Sequence, residues 1–146
     1  MYYVINKTAL WDRVYEEVSR VADDAYSEDG TSLYDSVILT ERDRDKVDRL
    51  LDDAVNAFVR RTYDICKKAT VDSAPNLQFY VPDFDITMES TALQEITNYL
   101  ALYAATEVFK SRRAGVVPEY AERVQAAMDR AVVLLKSRKA PNEVWS

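Results

Sequence analysis

The chain has 146 residues, 48% hydrophobic and 30% charged, with two Gly and four Pro, a composition that excludes a disordered or fibrous protein. A chain of this length forms one domain with its own core, burying roughly 70% of its unfolded surface. Its net charge of −6 argues against a nucleic-acid binder, and its lone Cys66 excludes an internal disulfide and agrees with a reducing compartment.

The first predicted helix carries Leu10, Trp11, Val14, Tyr15, Val18, Val21, Ala22 and Ala25 at three- and four-residue spacing, after a cap at Asn6 or Thr8. "SEDG", Ser27 to Gly30, ends it, and "TSLYDSVIL" reads as a loop. The second helix opens at "TERD", where the Thr40 hydroxyl and the Asp43 carboxylate have capping-box spacing. It continues through Val47, Leu50, Leu51, Ala54, Phe58, Thr62 and Ile65, with Cys66 on its apolar side as a small core residue.

A third helix is predicted from Ser90 or Thr91. Its uncharged middle, Ile96 to Thr106, is too short to cross a bilayer but suits the centre of a bundle. Lys110, Arg112 and Arg113 suit its negative end, and Gly115 lets the chain turn. Pro118 opens a fourth helix with Tyr120, Val124, Ala127, Ala131 and Leu134 as its stripe, closed by Lys136, Arg138 and Lys139 and stopped by Pro141. The fold class is therefore all-α: one domain over residues 1–146, a small antiparallel bundle of about four helices with helices two to four at its core. The inward set comprises Leu50, Leu51, Ala54, Phe58, Ile96, Leu100, Tyr103, Ala104, Ala127, Ala131 and Leu134.

Between helices two and three, "LQFYVPDFDITMES" changes period. Leu77, Phe79 and Val81, then Phe84, Ile86 and Met88, alternate with mostly polar neighbours around a Pro82–Asp83 turn, which predicts extended segments or a hairpin. An isolated hairpin is marginal in water, so its apolar face needs a cover. Either the chain's own helices supply it or a neighbouring subunit or partner does. The second alternative makes Leu77, Phe79, Tyr80, Val81, Phe84 and Ile86 candidate interface residues.

Charge is segregated along the chain. Residues 9–30 hold seven acids against two bases, and residues 110–140 hold eight bases against three acids. Solvated helix faces explain this, as does a subunit with one acidic and one basic side. Lys110, Arg112 and Arg113 are the candidate basic contact. Without histidine there is no imidazole base and no histidine-bearing metal site, and Gly30 and Gly115 stand too far apart for a phosphate loop. Asp23 with Asp24, and Asp52 with Asp53, are helix neighbours pointing about 100° apart, so they make solvated surface. No catalytic, cofactor or metal residue is predicted, and the expectation is a non-enzyme.

The order of a helix ending "VNAFVRRTYDI", an irregular apolar connection, the helix "LQEITNYLALYAATEVF" and a last helix "YAERVQAAMDRAVVLLKSRKAP" resembles the head-tail connector, or adaptor, proteins of tailed bacteriophages and prophages. The resemblance spans about residues 40–141; the first helix and the loop 27–39 depart from compact members. It implies a structural subunit of a ring, dodecameric in expectation, bound to copies of itself, to the portal and to a tail or neck protein. It also implies residence in the host cytoplasm during assembly and then in the virion neck, with no membrane and no sequence-specific DNA contact. The alternatives are a helical protein-protein interaction module of a bacterial or mobile-element system without a ring, and, further off, a carboxylate-only enzyme.

Overall fold

The computed structural model describes residues 6–65, 70–71, 77–78, 81 and 83–137. It is mostly helical. Four long helices, α1 (Lys7–Asp23), α3 (Arg44–Arg61), α4 (Glu89–Arg112) and α5 (Val117–Leu135), form a bundle, with a four-residue helix α2 (Tyr34–Val37) between α1 and α3. Two short strands, β1 (Thr70–Val71) and β2 (Leu77–Gln78), pair antiparallel between α3 and α4.

Local chemistry sets the helix starts. Asn6 caps α1 by accepting the Ala9 N–H at 3.1 Å. The Asp43 carboxylate reaches back to the Thr40 N–H at 2.8 Å, so the predicted capping box precedes α3 through a single 3₁₀ turn. The start of α4 differs from expectation. Asp85, not Ser90 or Thr91, is the side-chain cap: it accepts the Thr87 N–H at 3.1 Å and opens a 3₁₀ turn, Ile86–Met88, that runs into α4. Pro118 lies in the first turn of α5 as predicted. Gly115 does not supply the bend before it, which falls on Arg113 at φ −155°, ψ 68° and the 3₁₀ turn Ala114–Val116.

Helix α4 is the hub, with α1, α3 and α5 each packed on it. It has several buried faces rather than one stripe, and Ala92, Ala101, Ala104 and Ala105 are all 0% exposed. Short side chains at these positions let three neighbouring helices approach one axis. The buried Thr106 hydroxyl donates to Leu102 O at 2.6 Å, so this apolar centre leaves it satisfied. Helix α1 shares the same core through Leu10, Trp11, Val14, Val18 and Ala22, correcting the expectation that helices two to four form it alone.

Three predicted core residues, Leu50, Tyr103 and Leu134, are only half-buried. On α5 the buried line runs through Ala127, Met128, Ala131, Val132 and Leu135. A wide apolar stripe tolerates a phase error of one residue: Leu135 is fully buried, and Leu134 sits at the half-buried edge of the stripe. The predicted loop contains α2, pinned by buried Val37 and Leu39. Before it, Ser27–Gly30 forms a turn with Gly30 at φ 84°, closed by a bridge between Tyr26 and Ser32.

Contacts across the bundle define its two ends. Arg44 lies over the Trp11 ring at 5.0 Å and Lys7 pairs with Asp52 at 2.9 Å, so α3 runs antiparallel to α1. Asp43 with Arg112, and Glu95 with Arg130, set the α3–α4 and α4–α5 directions in the same way. One end gathers the loop after α1, α2 and the α4–α5 turn. The other gathers the close of α3, the 3₁₀ start of α4 and the close of α5, where the Asp85 N–H donates to Ser137 O at 3.3 Å.

Candidate interaction surfaces

The most enclosed polar cluster joins α1 to α5. Glu17 is 4% exposed and accepts the Tyr120 hydroxyl at 2.9 Å. Arg123 of α5 lies 3.4 Å from the same carboxylate, with Arg20 at 3.4 Å from the α1 side. Burial, followed by the neighbouring Glu17 carboxylate, pushes the Tyr120 hydroxyl above its ordinary pKa. The phenol therefore serves as a donor. Phe109 meets the Tyr120 ring edge-on at 4.7 Å and Arg123 covers it at 4.7 Å, which locks the rotamer. Such a node aligns helices.

A second clamp joins the end of α4 to the segment that precedes α3. Arg112 near the end of α4 pairs with Asp43 at 2.6 Å and donates to Ile38 O at 2.9 Å. The guanidinium, with the Thr40 backbone amide also contributing, holds the Asp43 carboxyl below its usual range against some burial. Of the predicted basic contact, Arg112 is thus spent on the chain's own fold. Lys110 pairs with Glu107 at 2.7 Å, while Arg113 forms no ion pair among the described residues. With Arg123 and Arg130 also engaged, by Glu17 and Glu95, four of the six described bases of the expected basic side are paired within the chain. The acids at the end of α1 and the following loop, Asp23, Asp24, Glu28 and Asp29, stay exposed and form no ion pair among the described residues.

The apolar stretch is divided by the fold. Val71 pairs with Leu77 and Thr70 with Gln78, so the described pairing begins before this stretch rather than folding it about Pro82. Phe79, Tyr80 and Pro82 lie outside the described residues, as does Cys66. Asp83 takes φ 53°, a turn conformation an aspartate tolerates. Val81 is 1% exposed and Phe84 packs half-buried against the same core. Their cover comes from the chain itself, which removes Val81 from any accessible interface. Ile86 is 74% exposed.

One surface feature was not anticipated. Between the start of α4 and the last turns of α5 lies an open groove of about 420 Å³ lined by Thr91, Glu95, Asp129, Arg130, Val133 and Leu134. Its wall is almost wholly apolar although half the lining residues are charged, because the head groups turn to the rim and leave their stems as wall. Val133 is 68% exposed. Its signal was present in the sequence, as an apolar residue outside the predicted α5 stripe.

These features define a small all-α bundle in which buried Glu17 joins α1 to α5 and in which Ile86 and Val133 are exposed apolar residues. Among the described residues no group of three His, Cys, Asp or Glu side chains could hold a metal ion, and no helix is long and apolar enough to cross a membrane. No protein-family model, curated protein or solved structure matches the chain.

Proposed function

We propose that the protein is a structural subunit of a phage or prophage neck, a head-tail connector that forms a ring between portal and tail. The observation that carries this reading is the element order on α3, β1–β2, α4 and α5: a long amphipathic helix, a connection with two short strands, a central buried helix and a closing helix. That is the order on which the resemblance rests. A bundle clamped at Glu17 and Asp43 suits such a role, because a ring closes only when every copy keeps the same angle between its contact faces. Contacts too weak to hold free copies together become effective when a pre-formed portal presents many sites at once. Among the described residues of the stretch from Leu77 to Ser90, Ile86 is the large apolar side chain exposed for such a contact.

The alternative is a helical interaction module that binds one protein partner without a ring. Internal pairing of the base-rich segment favours it, because a subunit joined through acidic and basic sides needs free cations. Mixing the purified protein with portal rings from the same genome tests both. Ring-shaped density on the portal and a monomer alone are expected for a connector, whereas a protein that leaves portals bare removes that function.

A further inference from the structure

The exposed ridge of α5 carries unbalanced charge beside an apolar slot. Glu122, Ala126, Asp129 and Val133 follow one another at spacings of four, three and four residues, which places them on one helix face. Glu122, Asp129 and Val133 are exposed and Ala126 is half-buried. The cations beside them are engaged: Arg130 by Glu95 at 3.1 Å and Arg123 by Glu17 at 3.4 Å. Among the described residues, Asp129 receives only the Gln125 amide, at 2.9 Å, and Glu122 forms no ion pair. Exposed Lys136, one turn beyond Val133, is the single described cation on this stretch without an ion pair.

We infer that the α4–α5 groove and the Glu122–Val133 ridge form a docking surface for a basic amphipathic helix of a partner protein. The slot at Val133 and Leu134 takes an apolar side chain, half-buried Ala126 lets a second helix approach closely, and Asp129 and Glu122 meet its flanking Lys or Arg. Helix-in-groove recognition uses such a division: apolar anchors one turn apart supply affinity and flanking charge sets selectivity. An acidic helix meets uncompensated repulsion from the same residues. The inference does not depend on the ring, so a failed portal experiment leaves it standing.

Two synthetic helical peptides sharing one Leu-rich face, one flanked by Lys and the other by Glu, test it by fluorescence anisotropy at low salt. The Lys peptide is expected to bind, and the Glu peptide to bind at least about tenfold more weakly. Val133→Asp and the double change Glu122→Lys, Asp129→Lys alter exposed side chains, so each should weaken the Lys peptide by about tenfold or more while leaving the thermal melt unchanged. Should Val133→Asp disturb folding, the double charge reversal alone decides. Equal binding of both peptides, no binding of the Lys peptide, or indifference to the charge reversal overturns the inference. So does self-association of the protein that Val133→Asp abolishes, because the surface then belongs to a second copy.

Discussion

The Tyr120 hydroxyl donates to Glu17 Oε2 at 2.9 Å across a sequence separation of 103 residues. This bond joins the helix outside the connector resemblance to the last helix within it, so α1 is part of the bundle and not an appendage. Hydrogen bonds to charged groups contribute about 1.5 to 3 kcal/mol when buried. Tyr120→Phe should therefore destabilise the protein by about that amount in urea unfolding. A change under about 0.5 kcal/mol shows that the node does not hold α1 in place.

Acid stability should depend on Asp43. Its folded pKa is depressed, chiefly by Arg112, so its contribution is complete above the unfolded aspartate value of about 4. That contribution is lost as pH falls through the folded value. Asp43→Asn should lower the melting temperature at pH 6 and flatten its decline below about pH 4. A variant whose acid limb keeps the full slope assigns that decline to other carboxylates.

Leu100 is 0% exposed at the middle of α4. Leu100→Ala should cost about 2 to 5 kcal/mol, whereas Leu134→Ala, on the half-exposed side of α5, should cost well under half as much. Equal losses from the two truncations contradict the phase of α5 described above.

The stretch around Val81 should separate folding from contact. Val81→Ala removes buried methyl groups and should cost about 1 to 3 kcal/mol. Ile86→Ser alters a side chain 74% exposed and should leave the melt within about 0.5 kcal/mol of the parent while abolishing ring formation on portals. A variant that still assembles takes Ile86 out of the proposed interface. Substituting Phe84 should lower stability, because it packs on the chain's own core.

Much of the bundle was legible in the sequence because local rules govern it. The Asn6 cap, the Thr40–Asp43 box, Pro118 in the first turn of α5 and the uncharged middle of α4 are written within a few residues of where they act. The central place of α4 followed from having apolar residues on more than one face. What the sequence left open was every pairing at long range. Eight bases between residues 110 and 140 read as a basic side, yet Arg112 meets Asp43 and Arg123 meets Glu17 only when distant segments come together. Val81 and Ile86 share one alternating stretch, yet one is buried and the other exposed, because the chain turns at Asp83 and enters a 3₁₀ turn at Ile86. Periodicity determines which residues lie on one face of an element. Only tertiary packing decides which face meets the core, because that choice rests on the shape and charge of the elements it packs against.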